Sequence, residues 1–148
     1  MHRRSMIMGA FTAAGALMAT AMRGRANAAD TDKPKVVYHL CDLDKVAFVL
    51  GNIRNHFEGM GGADKVTIEL VVHGPALKAF HAASANADVA RRFGEFSKAG
   101  LAAQACGNSM KTQNVTLKDL LPAFAIADRG GVVRIAELQA SGYAYLKP

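Results

Sequence analysis

The stretch KVTIELVVHGPALKAFHA (residues 65–82) decides the reading of the fold. Val66, Ile68, Leu70, Val71 and Val72 form a β-branched, apolar run that ends at His73-Gly74. A short run of this kind bounded by glycine reads as a strand buried on both faces (65–74). Pro75 follows at once. Proline suits the first position of a helix, where its missing N–H would have had no partner. A buried strand therefore passes through a short joint into a short helix, 75–82. That is the elementary unit of a parallel α/β sheet.

The same alternation runs through the chain on both sides. Upstream, KVVYHLC (35–41) is a first buried strand. Asp42 or Asp44 then caps a helix over 45–58, in which Val46, Val49, Leu50, Ile53 and Phe57 share one face at helical spacing. Downstream, Asn86 caps a helix over 87–99 with Val89, Phe93 and Phe96 inward, and Gly100 stops it. LAAQAC (101–106) is a third strand, followed by a loop or short helical piece to 115. Thr116 with Asp119 forms a capping box for a further turn that Pro122 closes. AFAIAD (123–128) is a fourth strand. The helix over 130–142 puts Val132, Ile135, Ala136 and Leu138 inward and stops at Gly142, and YAYLKP (143–148) is the last strand. Strands alternating with helices predict a parallel sheet with helices on both faces. Right-handed crossovers bring every strand's C-terminal end to one edge, and ligands of such sheets sit there.

The first thirty residues follow different rules. They carry Arg3 and Arg4, an Ala/Gly/Met-rich apolar run and the small-residue sequence Ala26-Asn27-Ala28. These predict a twin-arginine-type signal peptide over 1–28, a short leader over 29–34 and one α/β domain over 35–148. The destination is the periplasm, with membrane attachment only if the signal stays uncleaved. Cleavage removes Arg3, Arg4, Arg23 and Arg25, so 18 basic residues become 14 against 12 acidic ones, and the net charge falls from +6 to +2. The remaining part has no basic run and no tryptophan, which excludes a nucleic-acid surface.

The strand ends supply Cys41-Asp42, His73-Gly74, Cys106-Gly107-Asn108 and Asp128. A cysteine at a strand end, facing the start of a helical turn, meets backbone N–H groups that favour thiolate over thiol. Gly107 allows a tight turn and leaves the sulfur uncovered, Asn108 can donate to a thiolate or persulfide, and His73 can assist as a proton partner. Against this stands a buried, inert Cys106 and a purely hydrogen-bonded His73. His39, on the same side of its strand as Cys41, reads as a satisfied core histidine. His56 and His81 fall on helices and face solvent. If strands one and three are neighbours, as in a flavodoxin-like order, Cys41 and Cys106 come within disulfide reach. Cys41, Cys106, His73 and His39 are also soft and borderline metal ligands, but their spacing follows no finger or ribbon pattern, so no metal is assigned. No dinucleotide site is expected either. GMGGAD (59–64) follows a helix and precedes a strand, the reverse of the fingerprint's order.

VVHGPAL (71–77), ACGNSM (105–110) and GGVVRIAELQASGYAYLKP (130–148) resemble the DsrE/DsrF-like proteins, over essentially the whole of 35–148. The resemblance implies a three-layer α/β domain with a five-stranded, mostly parallel sheet, and homo-oligomers, often trimers or hexamers. It implies a sulfur carrier or sulfurtransferase that holds sulfur as a persulfide on the cysteine matching Cys106, with sulfur donors and acceptors as partners and no cofactor. Two other functions remain open at this point: a thiol–disulfide protein using Cys41 and Cys106, and a non-enzymatic ligand-binding or assembly protein.

Overall fold

The computed structural model describes residues 33–148. The predicted signal over 1–28 lies outside them. Five strands alternate with helices. They are β1 (Lys35–Leu40), β2 (Thr67–Val72), β3 (Ala102–Cys106), β4 (Phe124–Ala127) and β5 (Ala144–Leu146). All neighbouring pairs are parallel, and the order across the sheet is β4-β3-β2-β1-β5. The α/β, five-stranded, three-layer expectation holds, and the sheet is parallel throughout. The flavodoxin-like neighbouring of strands one and three does not hold, because β2 lies between them.

Strand parity sorts the core into two layers. Val36, Tyr38 and Leu40 of β1, with Ile68, Leu70 and Val72 of β2, face α1 (Val46–Gly59) and α2 (Ala87–Ala99) in the larger cluster. Val37 and Val71 face the other way, against Ile135 and Leu138 of α4 (Gly131–Ala140). The predicted inner faces of α1 and α2 are all buried. Asn86 caps α2 by accepting from the Asp88 N–H, and Gly100 ends it at φ 115°, where only glycine is unstrained.

Two parts differ from the pattern read in the sequence. Val132 and Ala136 of α4 are exposed, Val132 by 67%, and only Ile135 and Leu138 pack inward with the helix's first residue, Gly131. A helix of ten residues laid on a sheet buries a narrow stripe, and apolar residues beside it stay outside. The segment predicted as a helix over 75–82 is a 3-10 turn, Gly74–Phe80. His81 lies beyond it in extended conformation, bridged to Leu120. The Phe80 carbonyl accepts from Leu121 and the Ala82 N–H donates to Asp119, so the loop carrying Asp119 and Leu121 takes up backbone groups that a longer helix would have used itself.

Candidate functional site at the strand ends

The two-residue period explains what gathers at the C-terminal edge. His39 and Cys41 continue the parity of Val37, His73 that of Val71, and Cys106 that of Gln104. All four side chains therefore belong to the face carrying α4, the thinner side of the molecule. The joint that follows β3 is immediate. Cys106 is the N-cap of α3 (Gly107–Gln113), so helical N–H groups begin within two residues of its sulfur.

Cys106 is 5% exposed. Burial by itself pushes its thiol up, but the Ser109 hydroxyl and the backbone N–H groups of Gly131, Ser109 and Asn108 donate to the sulfur and together bring it below the ordinary thiol value. Two helix starts thus converge on one sulfur, α3 through Asn108 and Ser109 and α4 through Gly131. The Ser109 oxygen accepts the Gly74 N–H at 2.7 Å, which leaves its own proton for Cys106. Ser109 was not singled out in the sequence. A hydroxyl three residues after a strand-end cysteine, on the first turn of the helix that follows, is the signal that would have found it.

Gly131 explains how α4 comes so close. A Cβ there would stand 3.3 Å from each of the Cβ atoms of Cys106 and His73 and from a methyl carbon of Val71. Cys106 and His73 therefore flank the same glycine. Gly107 serves closeness too, not turning: its φ is not left-handed, and a Cβ would meet the Ala127 carbonyl oxygen at 3.2 Å. Nor does it leave the sulfur uncovered, given the burial of Cys106. Asn108 contributes its backbone, while its exposed amide lies against Gly130.

His73 is half-buried, with its Nε2 2.5 Å from His39 Nε2 and the two rings meeting edge to edge, their planes only 23° apart. His39 Nδ1 is 2.6 Å from the Tyr145 hydroxyl. Burial lowers both imidazoles, helped at His39 by His73 and at both by Lys147, with Asp42 opposing. Both are thus held neutral, and His39 is half-buried rather than a core residue. His56 sits on α1 but is half-buried, its Nδ1 2.9 Å from the Tyr38 hydroxyl. His81 Nε2 is 2.8 Å from Gln113 Oε1, and the Gln113 amide donates to the Gly74 carbonyl at 2.8 Å. Neither of these two histidines faces solvent freely, because a polar partner was within reach across a layer boundary.

Cys41 differs from Cys106 in kind. Burial, a hydrogen bond with Asp42 and the Asp42 charge raise its thiol, and Lys147 only partly opposes them. Both cysteines are free. With β2 between their strands they stand two strand spacings apart, roughly 10 Å, against the roughly 4.4–6.8 Å between Cα atoms that a disulfide needs. The paired-cysteine reading fails on this topology. A groove of about 750 Å³ opens between the 74–80 turn and α3, lined among others by Gly74, Pro75, Lys78, His81, Asn108 and Ser109; Cys106 does not line it.

The result is a parallel α/β domain with a buried thiol at its strand-end edge, held below its ordinary pKa by hydrogen-bond donors. The chain belongs to the DsrE/DsrF-like family, whose model matches residues 14–148. Its fold is similar to that of a protein of unknown function, MTH1491, from Methanobacterium thermoautotrophicum. That similarity has a TM-score of 0.69 at 24% identity, over 78% of this chain and 100% of that one. It is similar also to the ychN protein from E. coli, with a TM-score of 0.55 at 9% identity over 77% and 99% of the two chains. BT1422 from Bacteroides thetaiotaomicron, a conserved protein of unknown function, gives 0.55 at 14% over 77% and 95%. A search of the curated proteins finds no match.

Proposed function

We propose that this protein carries sulfane sulfur on Cys106 outside the cytoplasm. The observation that carries the reading is the contrast between its two cysteines: four donors hold Cys106 toward thiolate, whereas Cys41 is pushed toward thiol. The thiolate is the nucleophile in sulfur exchange. In the loading step the Cys106 sulfur attacks the sulfane sulfur of a persulfide or thiosulfate donor. A new S–S bond forms, the donor's S–S bond breaks, and its electron pair leaves with the donor's thiolate or sulfite. In the unloading step an acceptor thiolate attacks the outer sulfur and Cys106 departs as thiolate. No oxidant or reductant is consumed.

The donors that stabilise the thiolate serve both steps, as nucleophile and as leaving group. His73, across Gly131, is the neutral imidazole at hand to take or give a proton. The signal expected over 1–28 is what supports a periplasmic location. The exposed Val132 and Val133 on α4, with the family resemblance, support a homo-oligomer. Treatment of the purified protein with polysulfide tests the reading. Intact mass rises by about 32 Da, one sulfur atom, in the wild type and not in Cys106→Ser. An unchanged wild-type mass, under conditions that load a control thiol, overturns it.

A further inference from the structure

A second constellation lies at the same edge and leaves Cys106 out. One ligand atom each of His39, Cys41 and His73 lies within 4.8 Å of the other two. The topology builds this directly. His39 belongs to β1 and Cys41 is one pleat further on, so both share a face. His73 is the first residue past the adjacent strand β2, and its N–H donates to the Leu40 carbonyl at 3.0 Å, which holds it level with them. All three are half-buried, within reach from the edge.

We propose that His39, Cys41 and His73 bind a closed-shell transition-metal ion, Cu(I) or Zn(II). Three further features support this. The two Nε2 atoms, 2.5 Å apart, converge on one point, where two lone pairs cannot face each other without a proton or a cation between them. The Tyr145 hydroxyl engages His39 through Nδ1, 2.6 Å away, which leaves Nε2 for the ion. Bound histidines are oriented in this way by partners outside the ligand shell. Two imidazoles and a thiolate form a borderline-to-soft donor set that selects Cu(I) or Zn(II) over Mg(II) or Ca(II). They complete a trigonal Cu(I) centre, or leave a water position on tetrahedral Zn(II). Around Zn(II) the nitrogens stand about 3.3 Å apart, so the rings part by less than about 1 Å. Lys147, whose side chain hydrogen-bonds Cys41, gives way to the ion.

The test uses the purified full-length chain. Zn(II) and Cu(I) are titrated in competition with chromophoric chelators, and Co(II) reports sulfur ligation through a thiolate charge-transfer band. One equivalent binds per chain. Cys41→Ser abolishes the cobalt band and weakens binding by more than about 100-fold, and Tyr145→Phe, at an exposed position, weakens it by about 10-fold. Cys106→Ser binds as the wild type does, although it no longer takes up sulfur. Thermal melts of each variant establish that it is folded, and Tyr145→Phe decides if Cys41→Ser is not. Failure of both metals to compete with the chelators overturns the proposal, as does equal binding by wild type and Tyr145→Phe, or loss of binding in Cys106→Ser. Because polysulfide loading is read at Cys106, either outcome leaves the sulfur-carrier test intact.

Discussion

Ser109→Ala isolates the single side-chain donor to the Cys106 thiolate. The variant keeps the three backbone donors and removes one hydroxyl that is oriented by the Gly74 N–H at 2.7 Å. A hydrogen bond to a charged group is worth about 1.5–3 kcal/mol, and one pKa unit is about 1.4 kcal/mol. The Cys106 pKa therefore rises by about 1–2 units. Alkylation by iodoacetamide, followed against pH in a Cys41→Ser background, reports the midpoint directly. The midpoint moves to higher pH, and at pH values well below both midpoints the rate falls by roughly 10–100-fold. Stability supplies a second readout with a definite sign. The folded Cys106 pKa lies below its ordinary value of 9.0, so thiolate stabilisation is fully present above 9.0 and is lost as pH falls through the folded value. The wild type's advantage over Ser109→Ala grows with pH across that window. Superimposed on it is a pH-independent loss of about 1–3 kcal/mol, because the Gly74 N–H loses its acceptor. A midpoint that stays within a few tenths of a unit of the wild type's would refute the hydroxyl as a donor.

Other perturbations follow from the packing. Gly131→Ala places a methyl 3.3 Å from Cys106, His73 and Val71, so α4 must shift; calorimetry shows a loss of about 1–3 kcal/mol, and the alkylation midpoint of Cys106 rises as the Gly131 N–H moves off. Arg134 donates to the buried Glu69 at 2.8 and 3.1 Å, so Arg134→Leu leaves a buried carboxylate unpaired. Denaturant unfolding shows a loss of roughly 2–3 kcal/mol, less than for a fully enclosed pair because Arg134 is partly exposed, and adding Glu69→Gln recovers part of it. Ala123 adopts φ 84°, a left-handed conformation costly for a residue with a Cβ. Ala123→Gly gains up to about 1 kcal/mol in thermal melts, and a clear loss would show that the alanine methyl contributes more by packing than the strain costs.

The fold was legible because each element carried its own local signal. β1 and β2 are largely apolar runs, α1 and α2 have full helical faces, Asn86 and Gly100 mark the ends of α2, and the Thr116–Asp119 box marks a further turn. The short helix α4 buries less than its sequence suggests, since Val132 and Ala136, expected inward, lie outside the core. Strand order was not legible, because no local pattern states which strands are neighbours, and that order decides whether Cys41 can meet Cys106. The site was half legible. Strand ends gave Cys106, His73 and Cys41. Ser109, Gly131, Tyr145 and the pairing of Glu69 with Arg134 depend on contacts between residues 25 to 106 positions apart, except for Ser109 with its neighbour Cys106.

The placement of β2 between the two cysteines also sets how the chain can discharge its reactive sulfur. A species formed on Cys106 has no thiol of its own subunit within bonding distance to resolve it, so it does not decay by ring closure. Its lifetime is fixed by encounter with a second molecule. Release is then second order and slows in proportion on dilution, whereas a vicinal dithiol would discharge at a rate indifferent to concentration. If Cys106 carries sulfur as proposed, the sheet order would insulate that cargo until a recipient arrives.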